Sequence, residues 1–227
     1  MSERLDASHH PSDATLLAYA AGQLSEGLSL VVATHLAWCA GCRESVDVAE
    51  VAGGVLLSQG SSAECGEALL AKTLQVLERR SAMSAVSEAK PAAGSPAVPE
   101  LDLPEPLRGY IERLGRRSWG RLGPGIEQIT LMRRTANGGT VRLLRVRPGM
   151  QLPRHGHGGV ELALVLDGAY RDEIGRFARG DLADLDQETT HQPRADEREG
   201  CVCLIATEGR LRFDRRLLRL LQPVLGI

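Results

Sequence analysis

The sequence predicts a two-domain α+β chain, with an all-α helical bundle followed by an antiparallel β-barrel of the jelly-roll kind. Three observations point there. Upstream, apolar residues recur at helical spacing from Leu16 to Leu77. Downstream, they gather into short runs punctuated by Gly138-Gly139, Pro148-Gly149, Asp167-Gly168 and Arg179-Gly180, as strands between turns do. Between them, residues 84–106 read SAVSEAKPAAGSPAVPELDLPEP, with five prolines and no apolar period, the composition of a linker. The expected division is residues 1–85, a linker over 86–106, and residues 107–227. A chain of 227 residues, 43% hydrophobic and 25% charged, suffices for two small folded domains.

Ser12 is placed to cap a first helix that runs through Leu16, Leu17, Tyr19 and Ala20 and stops at Gly22. Ser25, with Glu26 in the first turn, opens a second through Leu28, Leu30, Val31 and Val32 toward His35 and Trp38. A third is expected over 41–51 and a fourth over 67–80, the latter with Leu69, Leu70, Leu74, Val76 and Leu77 apolar. Strands are expected over 128–133, 140–146 and 161–166.

A net charge of -2 and a pI near 6.3 provide no field that attracts phosphates, which argues against direct nucleic-acid binding. The first ten residues are charged and polar rather than basic then apolar, and no run approaches the roughly 20 apolar residues of a membrane span. The expected location is cytoplasmic, where five cysteines stay reduced and read as metal ligands or redox sensors.

His35, Cys39 and Cys42 follow H-x3-C-x2-C, a spacing that on a helix sets all three on one stripe. Two thiolates and an imidazole suit tetrahedral zinc and leave one corner open. His9 or His10, just before the first helix, can close it, and His10, beside Pro11, is the favoured ligand. Trp38 to Cys42, WCAGC, is similar to the thioredoxin pentapeptide, but that chemistry needs a strand leading in, and here a helix precedes.

The stretch HHPSDATLLAYAAGQLSEGLSLVVATHLAWCAGC resembles the zinc anti-sigma domain of the ChrR-like group. That resemblance implies His10, His35, Cys39 and Cys42 as zinc ligands. It also implies a bundle that binds an extracytoplasmic-function sigma factor, one to one, and keeps it from RNA polymerase. The fourth helix is then either a sigma-contacting element or bundle core.

Gly149, His155, His157, Glu161 and Gly168 fit G-x5-H-x-H-x3-E-x6-G, which resembles the first cupin motif. On a strand His155 and His157 share a face, with Glu161 near enough to join them. Gly180 and His191 stand eleven apart, as in the second cupin motif, although Asp186, Glu188 and Ala195 replace its usual proline, glycine and asparagine. Three imidazoles and a carboxylate suit zinc, iron, manganese or nickel. The ChrR-like resemblance favours zinc, hence two zinc ions, one per domain. Cys201 and Cys203, in CVCLIAT, put two thiols on one strand face and are candidate redox residues, with inert burial as the plain alternative. Cys65 has no visible partner and is given no role.

The resemblance implies an anti-sigma factor that lets its partner go when the cupin part meets reactive oxygen, of the singlet-oxygen type. A cupin metalloenzyme, a dioxygenase or isomerase using iron or nickel, is the alternative from another class.

Overall fold

The computed structural model describes residues 7–63, 65–66, 68–86, 98, 101, 103–115, 118–133 and 139–213. Glu67, expected to start the fourth helix, Gly138 of one expected turn, and residues 87–97, 99–100 and 102 of the expected linker lie outside them.

Among the described residues, four helices come first: α1 (Asp13–Ala20), α2 (Glu26–Leu36), α3 (Ala40–Gln59) and α4 (Ala68–Val86). Ser12 caps α1 as expected, its hydroxyl accepting from the Thr15 N–H at 3.2 Å. Helix α3 outruns its expected end at 51, because Gly53 and Gly54 take no left-handed conformation and the chain passes through them as helix. A fifth helix, α5 (Glu105–Leu114), was hidden by its own prolines. Pro104 is its N-cap and Pro106 sits in the first turn, where a missing N–H costs nothing, so residues that read as linker are a helix start signal. Val98, Leu103, Leu107 and Ile111 are buried in the common core.

Among the described residues, eleven strands follow. β1 (Gly120–Gly123), β2 (Ile126–Met132), β3 (Thr140–Val146), β10 (Cys201–Thr207), β5 (Glu161–Arg171) and β6 (Arg176–Ala178) lie in that spatial order, with β7 (Leu182–Leu185) and β9 (Arg194–Ala195) also paired to β5. A second sheet has the order β11 (Leu211–Phe213), β4 (His155–His157), β8 (Thr190–His191). Every pairing is antiparallel among the described residues, giving a two-sheet jelly roll.

Helix α2 decides how the halves meet. Leu28, Leu30, Val31, Val32, Thr34, His35 and Leu36 are all buried, while Glu26 is exposed and Ser29 and Ala33 are half-buried, so the helix is covered on all but one narrow stripe. It packs on β5, β10 and α5, and one continuous apolar core runs from Leu16 through Val31 to Leu204. Close approach to the sheet depends on Gly27, where a Cβ would stand 2.7 Å from Cγ2 of the fully buried Val141. Gly27→Val is expected to force α2 outward and lower Tm by about 5 °C in a thermal melt. An unchanged Tm would show that the helix is not seated there.

Candidate metal centres

The first cluster forms at a corner between two helices rather than along a single one. Helix α2 ends at Leu36, Cys39 is the N-cap of α3, and its sulphur accepts the Cys42 N–H at 3.5 Å. The three residues still converge, and His10 reaches them from the segment before α1. His10 Nδ1 lies 3.5 Å from Cys39 Sγ and 3.4 Å from Cys42 Sγ, and His35 Nε2 lies 3.3 Å from Cys42 Sγ. One ligand atom from each of the four falls within 4.8 Å of all the others. Burial first, then the neighbouring Cys39, pushes the Cys42 thiol up to about 12, and burial lowers His35 to about 4 against the opposing pull of the Gly180 carbonyl. A Cys42 thiol that resists ionisation, a neutral His35 imidazole, the Cys39 sulphur and His10 make a donor set that a divalent cation would satisfy. His9, the alternative fourth donor, turns away: it packs on Phe177 at 4.3 Å, and its Nδ1 sits 3.4 Å from Asp181.

The second cluster lies on the small sheet and the start of β5. His155 and His191 face each other across β4 and β8, His157 follows on β4, and Glu161 opens β5. All four are buried, with one ligand atom each within 4.8 Å of the rest. His191 Nδ1 is 2.8 Å from Asp172, whose carboxylate draws its proton, while His157 Nδ1 stands 3.2 Å from Glu161 without a hydrogen bond between them. The two Nε2 atoms lie 3.2 Å apart, and with its Nδ1 held by Asp172 the His191 Nε2 offers a lone pair that a cation between the rings would take. Burial drives the Glu161 carboxyl upward, but His157, His155 and His191 outweigh it and hold it below the usual range. Both quartets named from the sequence are therefore brought together, each in one place.

Residues 110–209 match the family model described as the ChrR cupin-like domain. The chain is 42% identical over 220 residues to the anti-sigma-E factor ChrR of Cereibacter sphaeroides, covering 96% of this chain and 98% of that one. This chain belongs to the ChrR family. A crystal structure of Rhodobacter sphaeroides SigE in complex with the anti-sigma ChrR shares its fold at a TM-score of 0.68 and 40% identity, over 88% of this chain and 98% of that one.

In this ChrR-family chain one short arm, residues 172–181, touches both clusters. Its first residue, Asp172, accepts from the N–H groups of Ile174 and Gly175 and from His191. Burial opposes its charge, yet those bonds win and keep it below the usual carboxylate range. At the far end the Gly180 carbonyl accepts the His35 Nδ1–H at 3.0 Å, leaving Nε2 to face the sulphurs. Gly180 has φ 94°, a conformation open to glycine at little cost, so a side chain there would misplace that carbonyl. Asp181 then ties down the incoming chain, accepting from Ser8 N–H at 2.6 Å, His9 N–H at 3.0 Å and Ala178 N–H at 2.8 Å. Asp184 continues the tether through Ser12 and Thr15.

Sequence reasoning missed Asp172 and Asp181, which no local spacing marks. Asp181→Ala strands three N–H donors and frees the segment that carries His10. The expected result is about a tenfold to hundredfold weaker grip on the ion of the first cluster in a chelator competition. Hydrogen bonds hold Asp181 below its ordinary 3.8 against the upward push of burial. Its contribution to stability is thus present above that value and is lost as pH falls through the lower folded one.

Cys201 and Cys203 sit side by side on β10, sulphurs 3.3 Å apart, both buried and both lining a cavity of about 430 Å³ inside the jelly roll. The bond to Cys201, with burial, pushes the Cys203 thiol well up. Neither belongs to the His/Glu quartet. Cys65 is exposed.

Proposed function

We propose that this chain is a cytoplasmic anti-sigma factor, holding an extracytoplasmic-function sigma factor inactive in a 1:1 complex and releasing it when reactive oxygen of the singlet-oxygen type alters the cupin part. The sigma-holding surface is assigned to residues 1–85 and the sensing role to residues 107–227, with 86–106 between them. The observation that carries the reading is an uncovered apolar face. On α3, Val48 is 65% exposed, Val51 68% and Val55 49%, spaced so as to share one face, and on α4 Leu70 is 67%, Leu74 49% and Leu77 53% exposed, again on one face. Single exposed apolar residues are ordinary, but a run of them along two successive helices marks a surface awaiting a partner. The relative ChrR is an anti-sigma factor seen with SigE, which supports this reading over dioxygenase or isomerase chemistry. No helix among the described residues is long and apolar enough to cross a membrane.

Zinc is the ion assigned to both quartets. His2Cys2 is a structural donor set for it, and zinc there would tie the amino-terminal segment to the α2–α3 corner that supports the apolar face. His155, His157, Glu161 and His191 would hold the second ion, and Asp172 would orient His191 from behind. The arm over 172–181 gives a route between them, since damage that releases Asp172 at one end loosens the Gly180 carbonyl and Asp181 at the other. Cys201 and Cys203 are assigned as redox-responsive residues in the same interior.

A pull-down of the full chain from native cells, with metal analysis of the recovered complex, tests the whole reading. A sigma factor at 1:1 with zinc supports it, while recovery of the chain alone, or without metal, overturns it.

A further inference from the structure

The outer face of the jelly roll carries a row of arginines that packing does not explain. Arg171 on β5 is paired in register with Arg176 on β6 at one side and with Arg194 on β9 at the other. Their neighbours Tyr170, Phe177 and Ala195 are buried, so by strand alternation the three arginines share the opposite, outward face, where all are exposed. Like charges directly opposed weaken a sheet, and here one guanidinium stands between two others on strands about 4.8 Å apart. The turn after β9 adds Arg198, which lines a surface depression of about 290 Å³ together with Arg171 and Arg194. Counter-charge is short. Glu197 pairs with Arg194 at 3.2 Å, an exposed contact that water and salt screen. Asp196, whose Oδ1 accepts the N–H groups of Arg198 and Glu199, is the carboxylate whose charge reaches Arg171 and Arg176. Glu199 lines a different depression, and Glu173 is taken by Arg154. Four guanidiniums thus meet two carboxylates, and among the described residues the side chains of Arg171, Arg176 and Arg198 form no hydrogen bond or ion pair.

We propose that this row is an anion site for a diphosphate group, whose oxygens accept from Arg171, Arg194 and Arg198 in the depression while Arg176 adds to the field. A planar guanidinium presents paired N–H donors that match phosphate oxygens, and several around one small hollow favour a multiply charged anion over a lone carboxylate. The row spans roughly 10 Å across three strands, which suits two linked phosphates better than one. An incoming diphosphate displaces Glu197 from Arg194 at little cost, because that pair is exposed, and it relieves the repulsion along the row. Among the described residues no aromatic ring lines the depression, so the phosphates alone are recognised. A chain of net charge -2 confines the attraction to this patch, which favours a compact anion over the long backbone of a nucleic acid. The site is independent of the sigma-factor reading and uses none of the donors of the two quartets.

The test is isothermal titration of the full-length, metal-loaded chain with pyrophosphate, beside ADP, sulfate and a short DNA duplex at matched ionic strength. Pyrophosphate is expected to bind saturably at one per chain, and sulfate, with a single tetrahedral centre, at least about tenfold more weakly. ADP binding as tightly as pyrophosphate admits a nucleotide as the source, and weaker ADP binding leaves the free anion; both support the diphosphate site. Arg171→Gln should weaken pyrophosphate about tenfold or more and leave Tm unchanged or slightly raised, since it removes the middle charge of the row. An arginine with a merely structural role would lower Tm instead. Arg194→Gln, on a different strand, should repeat the loss of binding. Arg147→Gln removes the same charge from another exposed position and should bind as the parent does. Heat from pyrophosphate stripping a metal ion would persist undiminished in Arg171→Gln, and metal analysis after the titration identifies it. Absence of saturable binding, equal affinity in the parent and Arg171→Gln, or a DNA duplex that displaces pyrophosphate overturns the proposal.

Discussion

His35→Ala is expected to abolish recovery of the sigma factor and to leave the purified chain with one ion fewer. His35 is fully buried, its Nδ1 is held by the Gly180 carbonyl, and its Nε2 faces the Cys42 sulphur. Alanine there removes one donor of four and leaves a cavity under α2. Structural zinc provides roughly 10–16 kcal/mol of folding energy in small zinc peptides, so loss of one ligand far exceeds the usual effect of a core substitution. Sigma recovery should fall by about a hundredfold or more, with metal analysis alongside. Cys39→Ala should behave alike, because its sulphur both joins the quartet and caps α3. A folded His35→Ala protein that keeps its full metal content and its partner would remove the structural role assigned to the first cluster.

His155→Ala should do the reverse, keeping the partner bound while blunting its release under singlet oxygen by about tenfold or more. His155 stands on β4 between His157 and His191, with ring centroids 5.2 and 4.6 Å away, and the first quartet includes none of these residues. Asp172→Ala should give a milder version of the same outcome, since it frees His191 without deleting a donor. Reporter induction in cells, paired with co-purification before and after illumination with a photosensitiser, separates grip from release. A soluble, folded His155→Ala chain that no longer retains the sigma factor would defeat the division of labour.

Both donor quartets were legible because most of their members sit at short, fixed intervals: His35, Cys39 and Cys42 around one corner, His155 and His157 two apart on a strand. The corner itself was not legible. Helical spacing predicted one stripe, and the chain instead breaks after Leu36 and restarts with a cysteine as cap, which happens to preserve the convergence. His10 and His191 are distant in sequence from the other donors, the one favoured for its place beside Pro11 and implied by the family resemblance, the other placed from the second cupin motif, and the structure brings each within reach of its quartet. Asp172 and Asp181 could not be read at all, because their importance arises only when β5, β6 and β7 fold the arm against α2 and the amino-terminal segment. Helix α5 was lost for the opposite reason: its local signal was present, but prolines serve both as helix starters and as linker residues. The turn-punctuated runs gave the sheets their strands, whereas the order β3, β10, β5 is set by long-range pairing that no local pattern encodes.

Because α2 rests on the sheet, the helices have no floor of their own. Cutting the gene after codon 85 would strip α2 of β5, β10 and α5, the elements it packs on, and each buried valine or leucine of that seam handed to water represents about 1.5 to 3 kcal/mol of apolar surface. Such a fragment would aggregate or borrow another surface to stand on. The two halves therefore resemble a keystone and its arch more than beads on a string, and grafting the helical half onto a foreign sensor calls for carrying the matching face of the sheet along with it.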